Sequence, residues 1–303
     1  MKISTTTGGF SRMYSDEVAI AKLAQAGFEA MDYSMFVHDA ETGIYNQKGF
    51  EKHAERIKAV ADACGISFGQ IHAQMPSPSY PDYIARQELW DKLAVNTIIT
   101  AAIVDCPYIV VHPLIMLDRL YDRKYQENFD ANLDYYGRMK PYLKEYGVKV
   151  AIENMWHFDD EIQKIVPTVC STAEEMIALA DALGDEFVFC LDVGHTALTG
   201  NKAEDMVRKL GSRLKTLHIH DVNGFDDSHD IPFNGNQIPM MFPENENKID
   251  WDAFAKSLKE IGYDGTFNLE ADCFPKKFPK ELREDATAFM AKVSKYFVNK
   301  YEL

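Results

Sequence analysis

Short runs of β-branched and aromatic residues alternate with longer amphipathic stretches along the chain, and the alternation repeats eight times. The predicted strands are Lys2 to Thr7, Phe28 to Met35, Ser67 to Ala73, Tyr108 to Leu114, Lys149 to Met155, Phe187 to Val193, Lys215 to Asp221 and Thr266 to Asp272. Several are almost continuously apolar, as in Ile109-Val110-Val111, Val150-Ala151-Ile152 and Phe187-Val188-Phe189-Cys190-Leu191. Strands of a parallel sheet covered on both faces have that composition.

The stretches between them carry helix signals. Ser171-Thr172-Ala173-Glu174 predicts a capping box, with the serine hydroxyl taking an orphan N–H ahead of Met176, Ile177, Leu179, Ala180 and Leu183, and Gly184 ends the pattern. Ala54, Ile57, Val60, Ala61 and Cys64 run to Gly65, and Trp251, Phe254, Leu258 and Ile261 run to Gly262, each glycine permitting a left-handed closing turn. Leu282, Ala286, Phe289, Met290, Val293 and Phe297 predict a final helix with one apolar stripe.

Alternation of β and α predicts a parallel sheet, and eight such units in 303 residues is the number of a closed (β/α)8 TIM barrel. The rival is an open doubly wound sheet, but no Gly-x-Gly-x-x-Gly follows the first strand and there is no Walker A loop. With no linker rich in Pro, Gly or Ser, one domain over residues 1–303 is expected. The rhythm breaks once, from Val222 to Lys248, where glycines and prolines interrupt any helical period; such a long connection reads as a lid or wall over a site.

Charge narrows the partners. The chain has 47 acidic and 32 basic residues, a net charge of -15, which repels phosphate backbones and anionic membranes, so neither nucleic acid nor membrane is an expected partner. Five cysteines without a C-x-x-C pair argue against a disulfide framework and for a cytoplasmic setting. No apolar leader and no long uncharged apolar run predicts export or insertion.

The polar residues that interrupt the apolar strands do so at one end. His72 closes the third strand, His112 the fourth, Glu153 and Asn154 the fifth, Asp192 the sixth with His195 just beyond, His218 and His220 the seventh, and Glu270 the eighth. In a (β/α)8 barrel the carboxyl ends of the strands share one mouth, so these side chains should converge. A lone histidine after an apolar run is more often structural than a ligand. A whole ring of buried ionisable groups costs several kcal/mol for each group unless something offsets it, and a divalent cation does so best. Glu153, Asp192, His218 and Glu270 form a hard, oxygen-rich set suited to one Mn²⁺, with Mg²⁺, Co²⁺ or Zn²⁺ open. His72, His112, His195, Asp227 and His229 could complete a larger cluster and would favour zinc; the bland reading of Asp227 and His229 is a solvated loop.

Ile152-Glu153-Asn154, Leu191-Asp192-Val193-Gly194-His195, Leu217-His218-Ile219-His220-Asp221, and Leu269-Glu270 after Gly262-Tyr263-Asp264-Gly265 together resemble the sugar phosphate isomerase/epimerase family of the xylose isomerase-like TIM barrel superfamily. That superfamily includes ketose 3-epimerases, inosose dehydratase and the endonuclease IV type of AP endonuclease. The resemblance implies a single-metal site on Glu153, Asp192, His218 and Glu270, with Glu153 and Glu270 also the acid/base pair. It matches His195 to a histidine that holds a substrate oxygen in the epimerases, and His72, His112, Asn154, Trp156 and His220 are the expected substrate contacts. The implied reaction is an isomerisation or epimerisation of a sugar or polyol. The metal polarises a carbonyl, lowering the cost of an enediolate, while a glutamate moves the adjacent proton.

Two alternatives stand beside it. A lyase of the same superfamily, either an inosose-type dehydratase or a C-glycoside deglycosidase with a small partner subunit, would begin with the same proton removal. The trinuclear-zinc pattern of the AP endonucleases also has all nine residue types here, in His72, His112, Glu153, Asp192, His195, His218, Asp227, His229 and Glu270, and the charge of -15 stands against it. A sugar sensor would lack a ligand or a glutamate, and none is missing. No glycine-rich phosphate loop is visible, which favours an unphosphorylated substrate, and Met155 to Phe158 and Met240 to Phe242 are candidate walls. No helix shows a second apolar face, so a homo-oligomer is neither required nor opposed.

Overall fold

The computed structural model describes residues 1–77, 79–116, 125–234 and 249–303. Eight parallel strands form one sheet: β1 (Ile3–Thr6), β2 (Ala30–Ser34), β3 (Ser67–His72), β4 (Tyr108–Val111), β5 (Lys149–Glu153), β6 (Phe187–Asp192), β7 (Leu214–His218) and β8 (Phe267–Leu269). Each of β1 to β6 pairs with the next strand in sequence, and β8 pairs with β1. The remaining edge is bridged by Ile219, whose N–H donates to Asn268 O at 2.9 Å while its carbonyl accepts from Glu270 N at 2.9 Å. The result is a nearly closed TIM barrel.

Eight longer helices follow the strands in turn: α1 (Asp16–Ala26), α2 (Phe50–Cys64), α3 (Gln87–Ile103), α4 (Tyr125–Tyr146), α5 (Ala173–Leu183), α6 (Ala203–Leu210), α7 (Trp251–Glu260) and α8 (Arg283–Tyr301). Their ends have local causes. The Ser15 hydroxyl accepts from Val18 N at the start of α1, and Asp250 accepts from Ala253 N at 2.9 Å at the start of α7, caps worth about 1 kcal/mol each. Gly65 closes α2 with φ +68°.

Two helix expectations need correction. The cap of α5 is Thr172, whose hydroxyl accepts from Glu175 N, so the motif sits one residue later than Ser171. The stripe of α8 runs through Ala286, Thr287, Met290, Ala291, Ser294, Phe297 and Tyr301, while Leu282 and Phe289 are about half exposed, at 48% and 50%. Helix α8 buries small polar residues that an apolar pattern cannot single out.

The period of two along each strand divides the core. Ile109 and Val111, Val150 and Ile152, Phe187, Phe189 and Leu191, and Phe267 and Leu269 join the large cluster between strands and helices. The intervening positions turn inward, where Val110, Ala151, Val188 and Cys190 make a small apolar plug beneath β4 to β6. Inward positions of β1, β2, β3 and β8 are polar instead. Ser4 Oγ donates to Asn268 Oδ1 at 2.9 Å, and Asp32 Oδ2 accepts from Gln70 Nε2 at 3.2 Å. The apolar plug ends where Glu153, Asp192 and His218 begin.

Candidate metal centre and active site

Register sets the first contacts. On adjacent strands Asp192 pairs with His218, and Glu153 pairs with Cys190, one inward position below Asp192. Asp192 also caps the short helix Val193–Leu198, its Oδ1 accepting from His195 N at 2.7 Å, which turns His195 back over the mouth. Asn154 clamps the same strand end: its Oδ1 accepts from Asp192 N at 2.7 Å and its Nδ2 donates to Asp192 O at 2.9 Å and Thr196 Oγ1 at 3.1 Å. Gly194 is required by crowding, since a Cβ there would lie 1.9 Å from His220 Cε1.

Among the described residues five overlapping groups of possible ligand atoms result, within each of which the atoms lie within 4.8 Å of one another, and three of them together take in every histidine and carboxylate concerned. The first is Glu153, Asp192, His218 and Glu270, all buried. His218 Nδ1 faces it, 3.1 Å from Glu153 Oε1 and 3.1 Å from Glu270 Oε2. The second is His72, His112 and Glu153, where the two Nε2 atoms are 3.1 Å apart and Glu153 Oε2 is 3.1 Å from that of His112. The third is His195, His220, Asp227 and His229; Asp227 Oδ2 sits 3.1 Å from His195 Nε2 and 3.2 Å from His229 Nε2. Glu153 joins the first two groups.

The imidazoles are held by their far nitrogens. Nδ1 of His72 donates to Ala73 O at 3.0 Å, that of His195 to Asn154 O at 2.9 Å, and that of His229 to Glu270 O at 2.9 Å. Backbone carbonyls only accept, so each ring has its proton on Nδ1 and turns an Nε2 lone pair into the cluster when neutral. Metal-ligating histidines are fixed in this way.

Charge is in excess at the same place. Burial pushes Glu270 up to about 8 against the pull of His218 and His229. Burial would raise Glu153 as well, but the His218 and His112 imidazoles hold it well below the usual carboxylate range. Burial would lower His195, yet Asp192 and Asp227 bring it to about 10, while burial and His112 drive His72 down to about 4. Asp227 Oδ1 is buried with no hydrogen-bond partner among the described residues, and Glu153 Oε2 has only the His112 ring beside it, without hydrogen-bond alignment. An uncompensated buried carboxylate oxygen costs several kcal/mol, and a cation removes that cost, so these residues fit a divalent metal.

The structure brings together every residue singled out at the strand ends, and it adds Asp227 and His229, which the sequence leaves between site and solvated loop. Asn154 and His220 are fully enclosed; His220 Nε2 lies 3.0 Å from Asp192 Oδ1 and its ring stacks on His229 at 4.3 Å. Trp156 opens a hairpin of Trp156–Asp159 against Lys164–Pro167, and its Nε1 donates to Asp227 Oδ2 at 3.2 Å. Two neighbours escape the sequence reading. Asp32 lies inside β2, 3.2 Å from His218 Nε2, and Phe36 packs edge-on to His72 at 4.7 Å. Asp32 carries the signal used elsewhere, a charge inside an apolar strand, but it stands short of the strand end. Of the long connection, residues 222–234 form no helix, and Met240 to Phe242 lie outside the described residues.

Residues 20–293 match the model of the family described as xylose isomerase-like TIM barrel. Over its full length the chain superposes on a D-tagatose 3-epimerase-like protein with a TM-score of 0.74 at 21% identity, covering 98% of that chain. A D-psicose 3-epimerase from Clostridium cellulolyticum H10, solved with D-tagatose, gives a TM-score of 0.72 at 16% identity over 98% of this chain and 99% of that one. The inosose isomerase of Bacillus subtilis is 23% identical over 195 residues, 64% of this chain and 63% of that protein. The chain spans about half the length of the first curated relatives it matches, 51% in two cases.

Proposed function

From a chain that belongs to the xylose isomerase-like TIM barrel family, we propose a divalent-metal-dependent isomerase or epimerase of a sugar or polyol. The observation that carries the reading is the convergence of Glu153, Asp192, His218 and Glu270 in one buried group. These four residues would hold the metal, with Mn²⁺ preferred because three of the donors are carboxylates. When bound, the metal supplies polarisation of a substrate carbonyl and its neighbouring hydroxyl.

The chain's own residues do the rest. One of Glu153 and Glu270 takes the proton from the carbon beside the carbonyl; the C–H electron pair becomes the C=C bond of an enediol, and the carbonyl π pair moves to oxygen. The other glutamate delivers a proton to the opposite face of that carbon and inverts it. Delivery to the former carbonyl carbon, with loss of the hydroxyl proton, exchanges aldose and ketose. His195 holds a substrate oxygen, and His72, His112 and Trp156 contact the remaining hydroxyls and the apolar face of the ring. Asn154 and His220 act from beneath, because Asn154 is spent on the Asp192 backbone and His220 on the Asp192 carboxylate.

Incubation with a panel of ketoses, inososes and C-glycosides in deuterated water, with Mn²⁺ supplied, tests this. Deuterium entering beside a carbonyl only when metal is present is expected. Absence of exchange across the panel in a protein that binds metal would sink the proton-transfer reading.

The two further ligand groups favour a second reading, a centre of more than one metal, with zinc at the histidine-rich positions. About three tightly held zinc ions and specific binding of abasic-site DNA at physiological salt would move the function to the endonuclease arm, against the charge of -15. A single tightly held ion keeps the isomerase reading.

A further inference from the structure

His218 differs from the other histidines of the mouth. His72, His195 and His229 each give Nδ1 to a backbone carbonyl and turn Nε2 inward. His218 is reversed, with Nδ1 among the carboxylates of Glu153 and Glu270. For Nδ1 to act as a ligand its proton must reside on Nε2, and no main-chain carbonyl is there to receive it. The acceptor beside Nε2 is Asp32 Oδ2, at 3.2 Å. Among the described residues no group makes a well-aligned hydrogen bond to that nitrogen, and Asp32 Oδ2 is the carboxylate oxygen placed beside it.

Asp32 is an expensive residue to keep for any other purpose. It is 0% exposed, on an inward position of β2 in the middle of the barrel. Its Oδ2 accepts from two side-chain amides, Gln70 Nε2 at 3.2 Å and Asn268 Nδ2 at 3.4 Å, and its Oδ1 has no partner. The amides are themselves fixed, Gln70 Nε2 by Leu217 O at 3.4 Å and Asn268 Oδ1 by Ser4 Oγ at 2.9 Å, so the carboxylate is braced from β3 and β8, which are backed by β7 and β1. Two long neutral hydrogen bonds do not repay the burial of a full charge. A carboxylate behind an imidazole earns its place when the ring's other nitrogen binds a cation, because it fixes the tautomer, aims the ring and makes the ligand more basic.

We propose that Asp32 is the positioning residue of the metal site: it keeps the His218 proton on Nε2, directs Nδ1 at the group formed with Glu153, Asp192 and Glu270, and strengthens His218 as a ligand. The inference rests on the reading of that group as a metal site. It predicts an opposition that a merely structural residue would not produce. In the metal-free protein the Asp32 charge is a burden, so its removal leaves stability unchanged or improves it; in the metal-bound protein its removal weakens the ligand.

The test uses the full chain stripped of metal, as wild type, Asp32→Asn and Asp32→Ala, titrated with Mn²⁺ while free Mn²⁺ is followed by electron paramagnetic resonance. Asparagine keeps a neutral acceptor beside Nε2 and should weaken Mn²⁺ binding about 10-fold; alanine removes the acceptor and should approach 100-fold. The melting temperature of metal-free Asp32→Asn should equal or exceed that of the wild type. Unchanged affinity in both variants overturns the role of Asp32 while leaving the metal site intact. Affinity that falls only together with the metal-free melting temperature makes Asp32 structural and overturns it too. A wild type that binds neither Mn²⁺ nor Zn²⁺ removes the metal reading itself, a result distinct from the other two.

Discussion

Among the described residues two clusters of buried histidines and carboxylates can be compared, and they are built on opposite principles. The first, around Asp16, sits outside the mouth under the connection that follows β2. There one carboxylate oxygen, Asp16 Oδ2, accepts from Tyr33 OH at 2.8 Å and His53 Nε2 at 2.9 Å, with His38 Nε2 3.2 Å away. Tyr45 OH follows at 2.6 Å from Tyr33 OH, and Arg56 Nη2 donates to His53 Nδ1 at 3.0 Å, which leaves the histidine's proton on the Nε2 that faces Asp16. Donors outnumber the charge they serve. At the mouth the carboxylates are many and close: Glu153, Asp192, Asp227 and Glu270 crowd together with Asp32 behind them, and Asp227 Oδ1 and Asp32 Oδ1 have no hydrogen-bond partner among the described residues. A cluster that closes on itself is architecture. One that leaves buried carboxylate oxygens unpaired is a place where a cation would be stabilised.

The largest expected effects fall on the mouth. Glu270→Gln removes the proton acceptor while keeping its shape, and deuterium exchange into substrate should fall by at least about 10³-fold with the melting curve little changed. Retained exchange would take Glu270 out of the acid/base pair. His218→Ala should lose bound metal by elemental analysis, with affinity down by more than about 100-fold, whereas His53→Ala, which removes a histidine from the other cluster, should keep full metal content. Equal metal loss in both variants would erase the distinction between the clusters.

Asp16 should show its importance in stability. His53, His38 and Tyr33 hold its carboxyl well below the usual carboxylate range although burial alone would raise it. A group whose folded pKa is depressed adds stability above its unfolded pKa of about 3.9 and loses it as pH falls towards the folded value. Asp16→Asn should therefore cost about 2–4 kcal/mol in denaturant unfolding at pH 7, and the gap to the wild type should narrow steadily below about pH 4. Glu17 and Arg56 stand next to the cluster, 3.6 Å apart, and are common to both proteins. A gap that stays constant with pH would show that Asp16 acts through packing instead.

Much of this is legible in the amino-acid sequence. The strand period fixed the barrel, because apolar runs such as Phe187 to Leu191 fit a strand covered on both faces, and the polar residue ending each run then had to point into the shared mouth. What escaped was whatever depends on depth or on distant elements. Asp32 is a lone acidic residue inside a strand and Asp16 stands beside Glu17 in the first turn of α1, an ordinary place for acidic residues, and their partners come from other units of the barrel. The hairpin beginning at Trp156 escaped for another reason: its two strands pair only with each other, and Trp156 to Asp159 has no clean alternation to announce it. Expectation also moved within the site. Asn154 and His220 lie in the predicted motifs, yet the fold turns both inward, onto Asp192.

That inward turn gives the smallest of the expected effects and the sharpest test of how the mouth is held. Gly194 has no backbone reason to be glycine, since it does not take a positive φ. Its reason is the ring of His220, which occupies the space where a side chain would begin. Gly194→Ala must push that ring off the Asp192 carboxylate or shift the start of the helix that carries His195. Overpacking of this kind costs about 1–3 kcal/mol. If the displaced ring is the cause, Gly194→Ala combined with His220→Ala should cost less than the sum of the two single changes, because the alanine at position 220 vacates the volume. Additive losses would place the strain in the helix instead. In the cluster around Asp16 the protein fixes His53 between a carboxylate and a guanidinium; at the mouth it also uses a glycine to let one ring reach the carboxylate of Asp192.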